Sequence, residues 1–430
     1  MTPVRNLLLS LSLACFSATA AAQQTLLQCG HLLDVESERI LKDQQVLISD
    51  GVIQDIGKSI DTPADTVVID LRQSYCGPGL MDMHVHLFAD IGAHGRIRPN
   101  SISSSLNTLV GLKNAGEYLR MGFTTVRVMG DMDTHFASIE LRNAFEKGMY
   151  DGPRMIVAPH ALSPLGGHSD EKEVSPDQPF KASGPMVANG VDAIRTAIRR
   201  EFKYGAQWIK VMATGGVLSP GNDPTVAAFS QEEFAAIVEE VHRHNKKVAA
   251  HAHGEPGIRM AVEAGFDSIE HGTQLTKDLA RSMAKKGIYY VPTVYVMDAA
   301  VVAGEQGRIP PENYAKAKEM AGFHTEAVKH AYQQGVKIVI GSDAVFSKRN
   351  AIKEFGALNK HIQNPWYVLR AGTLVAAEMV DESDNLGSIT VGKRADIIAL
   401  PGNPVDDFAE LEKVNFVMKD GKVVHTAESL

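Results

Sequence analysis

Basic runs are missing from this chain. Lysine and arginine number 43 against 51 acidic residues, a formal net charge of −8, and no basic stretch is interleaved with aromatics. Both features exclude a nucleic-acid partner. Long apolar runs are missing too, apart from one near the start, so the mature chain has no means of stable membrane insertion. No segment repeats at a fixed period, and none is of low complexity. Cysteine is scarce, at three residues. Otherwise the composition is that of a soluble globular protein, 44% hydrophobic and 22% charged, and 430 residues suffice for a large barrel with a small companion.

The exceptional run is MTPVRNLLLSLSLACFSATAAAQQ. It has one early cation, Arg5, an apolar core from Leu7 to Phe16 and a small-residue tail. That is the pattern of an export signal over residues 1–22, too short for a membrane span, with cleavage after Ala22. The expected location is periplasmic or secreted. A lipoprotein anchor at Cys15 is the alternative, although Ser12 stands where a bulky aliphatic residue is usual. After cleavage Cys29 and Cys76 remain. An oxidising compartment allows them to pair, and two buried free thiols are the alternative.

From Leu26 to Asp70 short β runs alternate with turns, and the far end looks the same. Asp50-Gly51 and Asp420-Gly421, each between apolar alternations, are hairpin signals. These features predict a composite β domain from residues 23–79 and 385–430, built as a β-sandwich. Between them, over residues 80–384, strand-like and amphipathic helical stretches alternate. Ser230 and Glu233 form a capping-box pattern before one such helix. Eight strand candidates with intervening helices predict an α/β fold of the (β/α)8, TIM-like barrel type.

In such barrels, chemistry sits at the C-terminal ends of the strands. Strand one, GLMDMHVH, ends in His84 and His86. Alternation puts both on one face, with Asp82 behind them. Strand four carries Lys210, strand five ends in His251 and His253, strand six in His271, and strand eight in Asp343. Taken singly, each has a structural alternative: a packed, hydrogen-bonded histidine or an acid-paired lysine. Their convergence points to a metal site, because borderline ions such as zinc take imidazole nitrogen and carboxylate oxygen. A lysine inside a barrel strand loses hydration, which favours its neutral amine. That amine can capture carbon dioxide as a carbamate, an anion able to bridge two cations.

MDMHVH, Lys210, His251, His271 and GSDA with Asp343 resemble the binuclear amidohydrolase superfamily. The closing segment LRAGTLVAAEMV…NLGSITVGKRADIIAL fits it as well. HAHG and LGGHSD resemble its Xaa-Pro dipeptidase and imidazolonepropionase-like branch, which includes carboxypeptidase-like and ochratoxin-hydrolysing enzymes. The resemblance implies two divalent ions, zinc foremost, with manganese, cobalt or iron as alternatives. His84, His86 and Asp343 would hold the more buried ion and His251 and His271 the outer one. Carboxylated Lys210 and a hydroxide would bridge them. That hydroxide would attack a carbonyl, with Asp343 moving its proton to the leaving amine.

The charge of two divalent ions exceeds that of a carbamate, Asp343 and hydroxide together, which favours an anionic substrate such as a free α-carboxylate. His253, one pleat beyond His251, is the expected hydrogen-bond donor to substrate and an assistant in catalysis, with orientation of a ligand as its alternative. His168, His160 and Tyr295 are further candidate substrate contacts, with a solvated loop position, a loop anchor and core packing as their respective alternatives, and Phe88 is a candidate pocket wall. The expected function is hydrolysis of small dipeptides or N-acyl amino acids with an apolar or prolyl C-terminal residue, ochratoxin-type amides included. A cyclic-amide or lactone hydrolase of the imidazolonepropionase type is the alternative. Lys210 counts against it, since those relatives usually hold one metal and lack the bridging lysine. A dead barrel would have lost ligands that this chain keeps. Relatives are often homo-oligomers, which makes that the expected assembly.

Overall fold

The computed structural model describes residues 24–88, 103–131, 133, 135–170 and 186–427. The expected export signal, Cys15 and most of the loop after the first barrel strand lie outside them. Seven strands from the two chain ends form one sheet: β1 (Thr25–Asp34), β2 (Arg39–Ser49), β3 (Val52–Gly57) and β4 (Val67–Pro78) from the start. Three more, later in the chain, join through Ile397–Leu400, which pairs antiparallel with β4.

Both Asp-Gly turns are where the alternation places them. Asp50 and Gly51 have φ of 51° and 77°, and Asp420 and Gly421 have 49° and 75°, so both hairpins turn through the left-handed region. The two tips also touch. A Cβ on Gly51 would lie 2.7 Å from the Asp420 carbonyl oxygen, so the contact requires glycine. Ile53 donates to the Lys393 carbonyl and Ala395 to that of Gly51, which joins the free edge to the segment entering the last strands. The sheet therefore curls around a core of Leu27, Val46, Ile53, Ile397 and Phe416. The expected two-layer sandwich is corrected to one continuous curled sheet. Its seven strands are hydrogen-bonded in one unbroken order, with β1 bonded to both β2 and β4. Cys29 and Cys76 are disulfide-bonded, with Cα atoms 6.0 Å apart.

Gly79 alone separates this sheet from the second unit. There β5 (Leu80–Val85), β6 (Phe123–Met129) and β7 (Arg154–Ala158) pair in parallel. So do β8 (Ala161–Leu162), β9 (Trp208–Met212), β10 (Lys247–Ala252), β11 (Ser268–His271) and β12 (Tyr289–Val291). The chain then returns as β13 (Ile397–Leu400), β14 (Phe416–Lys419) and β15 (Lys422–Thr426) to complete the first sheet. Gln207 N donates to Val157 O at 2.8 Å, linking β9 to β7. Residues 337–343 have no regular strand, yet they span the remaining gap. Val339 N bonds Tyr290 O on one side, while Met83 N bonds Ile340 O and Asp343 N bonds His84 O on the other. The result is a TIM-barrel-like α/β fold with a sheet domain. Helices fill the crossovers, as right-handed β-α-β connections require. One of them, Gln231–Arg243, begins with the Ser230–Glu233 capping box expected from the sequence.

The disulfide closes a loop between residues 47 positions apart. Such a closure stabilises by about 2–4 kcal/mol, mainly by restricting the unfolded chain. A Cys29→Ala/Cys76→Ala variant should unfold at a clearly lower urea midpoint than the oxidised protein. Equal midpoints would show that the bridge carries no stability.

Candidate metal centre

His84 is the penultimate residue of β5, and His86 follows just beyond the strand. The chain then meets Asp343, whose amide donates to the His84 carbonyl at 2.8 Å. One nitrogen of each ring and one Asp343 oxygen lie within 4.8 Å of one another. A second group of the same tightness joins His251 and His253, at the end of β10, to His271 at the end of β11. The two groups adjoin: the His84 and His271 rings are 5.2 Å apart, and those of His251 and His271 4.6 Å. Lys210 of β9 lies beside the first group, its Nζ 3.4 Å from His84 Nε2.

What stands behind each imidazole sets its tautomer. His84 Nδ1 lies 2.7 Å from Glu270 Oε2, and His86 Nδ1 meets the Gly130 carbonyl oxygen. Carboxylates and carbonyls only accept, so both Nδ1 atoms carry hydrogen and both Nε2 atoms offer lone pairs. His251 is turned round. Its Nε2 lies 3.2 Å from the Gly215 carbonyl, which leaves Nδ1 as the free ligand atom. His253 Nδ1 and His271 Nδ1 rest on the hydroxyls of Thr273 and Thr293, each at 2.7 Å.

Glu270 is itself tied down. Arg127 Nη2 donates to its two oxygens at 2.8 and 3.0 Å, and Ser268 Oγ bonds it at 2.6 Å. The Arg127 guanidinium also lies 4.5 Å above the Trp208 ring. Arg127 and Glu270 are 0% exposed, which a charged pair tolerates only when its hydrogen bonds are satisfied. Neither residue was anticipated as part of the site, nor were Thr273 and Thr293. The available signal was a charge inside an apolar strand: FTTVRVM for Arg127 and SIEH for Glu270.

Three side chains at this mouth need unusual backbones. His271, Thr293 and Asp343 have φ of 67°, 52° and 46°. A residue with a Cβ pays for the left-handed region, so the surrounding contacts must hold it there.

Burial sets the charge states. It pushes the imidazoles of His84, His251, His253 and His271 well below their ordinary values, with nearby cationic and imidazole groups adding to the shift. His86 falls to about 3 for the same first reason. Burial draws Lys210 down to about 8 and lifts Asp343 to about 7, each partly opposed by the other. The donor set is thus neutral imidazoles, a buried carboxyl group and a lysine whose ammonium burial has weakened. That is what borderline divalent ions require, and the two groups provide for two of them.

The remaining candidates are placed differently. His168 Nδ1 bonds Ser219 Oγ at 2.7 Å, and its ring lies 4.5 Å from that of His251, so it joins the second group's wall. His160 is buried against Glu201 and the edge of Phe136, outside both groups. Tyr295 is no strand residue. It lies in the helix Val294–Glu305, its amide capped by Glu354 Oε2 at 2.7 Å and its ring packed on the core beneath Lys353. Phe88 is likewise core, pressed against Gly111 of the helix Ser104–Arg120.

A TIM-barrel-like fold with these groups at its mouth defines a metal-dependent hydrolase. The chain belongs to the amidohydrolase family, whose profile matches residues 76–424. It is 32% identical to ochratoxinase of Aspergillus niger over 433 residues, spanning 95% of this chain and 88% of that protein. A crystal structure of a Xaa-Pro dipeptidase with bound methionine superposes with a TM-score of 0.88 at 33% identity, covering 94% of this chain and all of that one. Imidazolonepropionase of Alkaliphilus metalliredigens is more distant, 22% identical over 92% of this chain and 91% of that protein. The protein is a hydrolytic enzyme acting on amide bonds.

Asp343 makes a pH prediction for metal-free protein. The native state keeps a proton on it up to about 7, whereas the unfolded carboxyl loses it near its ordinary value of 3.8. Between those values the native state binds more protons, so stability falls as pH rises. Asp82, also lifted to about 7 by burial, acts in the same direction. Asp343→Asn should flatten the fall in urea midpoint between pH 5 and 7. An unchanged slope would mean that Asp343 is ionised throughout.

Proposed function

We propose that the protein is a binuclear amidohydrolase that cuts dipeptides or N-acyl amino acids bearing a free C-terminal carboxylate, with an apolar or prolyl residue beside it. The observation that supports this best is the pair of donor groups flanking Lys210 at the barrel mouth. His84, His86 and Asp343 would hold one ion, His251 and His271 the other, with zinc as the first choice of metal. Bound ions would supply an acidified water and an electrophile for the carbonyl oxygen.

The chain's own residues do the rest. Lys210, drawn down to about 8, reaches its neutral amine far more readily than an exposed lysine does, and that amine would add to carbon dioxide with loss of a proton. The resulting carbamate would replace the ammonium charge among the ligands with a negative one. Asp343, lifted to about 7, suits a group that accepts a proton from attacking water and passes it to the leaving amine nitrogen. His253 donates to the substrate carbonyl or carboxylate if Thr273 O–H bonds its Nδ1, because Nε2 then carries the hydrogen. His168, beside His251, bounds the space for the substrate. Export, supported by the Cys29–Cys76 bridge, places the activity outside the cytoplasm, and a homo-oligomer is the proposed assembly.

Metal-replete mature protein should cleave Xaa-Pro and Xaa-hydrophobic dipeptides or N-acyl amino acids, with ochratoxin A as a further candidate. Blocking the C-terminal carboxylate should abolish turnover. Lactone turnover without amide turnover would replace this reading with the imidazolonepropionase-type one. Lys210→Ala should lose most activity and bound metal. Asp343→Asn should lower kcat by about 10²–10⁴ while the fold persists. Full turnover in either variant removes the role given to that residue.

A further inference from the structure

Next to the candidate metal centre, two neighbouring strand ends hold buried polar atoms that find no hydrogen-bond partner among the described residues. Asp131 follows β6, and neither of its carboxylate oxygens has a hydrogen-bond partner, although both are buried. The Phe88 amide and the Ser138 hydroxyl lie near without closing a well-formed bond. His160 follows β7. Its Nδ1 lies 2.9 and 3.1 Å from the two oxygens of Glu201, a residue 0% exposed. Because the carboxylate only accepts, Nδ1 carries the hydrogen and Nε2 a lone pair. That Nε2 is buried and without a partner.

The backbone sets these residues side by side. The ladder between β6 and β7 runs on past both strands: Gly130 N donates to Ala158 O at 2.8 Å and Asp131 N to Pro159 O at 2.9 Å. Gly130, at φ 89°, packs so closely here that a Cβ would lie 3.1 Å from that of Ala161. The Gly130 carbonyl is also the acceptor for His86 Nδ1. The pair therefore adjoins the candidate metal centre through one peptide unit.

With Asp131 ionised, all three unpartnered atoms are acceptors. Their complement is a compact group rich in N–H donors and carrying positive charge. Water would leave the carboxylate charge uncompensated. An ammonium supplies three donors and the opposite charge. Burial and Asp133 push the Asp131 carboxyl well up in the ligand-free protein, and Lys348 opposes them. A docked cation would restore the ionised form. On an amide substrate the group that fits is an α-ammonium, two bonds from the scissile carbonyl.

We propose that Asp131 and His160 form a subsite for the free α-ammonium of a dipeptide, with Glu201 as the residue positioning His160. This rests on the amide-hydrolase reading and narrows it. Dipeptides are preferred over N-acyl amino acids and ochratoxin-type amides, which lack that charge.

The test is calorimetric binding of alanyl-phenylalanine and its N-acetyl twin to metal-stripped mature protein at neutral pH. The free-amine peptide should bind at least about tenfold more tightly, the scale of one charge-assisted hydrogen bond. Asp131→Asn should bring the ratio close to one. If Asp131→Asn does not fold, His160→Gln is read in the same way. Equal binding by the wild type, no binding of the dipeptide at millimolar concentration, or a ratio that survives in the folded variant would overturn the proposal. Hydrolysis is scored separately on metal-replete protein. Amine preference without amide cleavage would sink the hydrolase reading and leave the subsite standing.

Discussion

The site depends on a buried carboxylate that touches no substrate. Glu270 takes the Nδ1 hydrogen of His84, and Arg127 and Ser268 hold Glu270 in place. Without that acceptor His84 could rotate or change tautomer, and its Nε2 would no longer face Lys210. The guanidinium offsets the buried charge. Removing either partner of such a pair costs about 3–5 kcal/mol, because the other is left uncompensated. The barrel interior thus serves as a rigid back wall for the ligands, and its charges are part of the chemistry rather than of packing.

From that wall outward the same logic repeats. Each imidazole has one nitrogen committed to a protein atom and one turned to the shared space. His251 presents the opposite nitrogen from His84, which lets rings from adjacent strands face one centre without collision. The backbone completes the arrangement. His271, Thr293 and Asp343 all adopt positive φ just where strands end, so the chain turns sharply and the side chain stays over the mouth. Thr293 also carries the hydroxyl on His271 Nδ1, which ties one such residue to another.

Much of this was legible in the sequence, and what was not has physical reasons. His84 and His86 are visible because strand alternation is local. The Asp-Gly turns are visible because few residues accept their backbone angles. Glu270 was hidden because its partner His84 is 186 residues away, and only the closed ring of strands brings them together. The eighth strand was read as regular from its apolar run, yet its hydrogen bonds are split between Tyr290 and the β5 side. Tyr295 was assigned to a strand end because YYVPTVYV is rich in β formers. The chain leaves the strand at Val291, and the carboxylate of Glu354 starts a helix there instead. A sandwich was expected because alternation reveals which face is buried but not where a sheet bends.

The proposed chemistry requires two divalent ions with Lys210 between them. The most direct measurement is elemental analysis of the purified mature protein after equilibration with zinc and removal of loosely bound ion. The account predicts two tightly held divalent ions per chain in the wild type and loss of that stoichiometry in Lys210→Ala. A single ion per chain, or two ions undisturbed by Lys210→Ala, would contradict it.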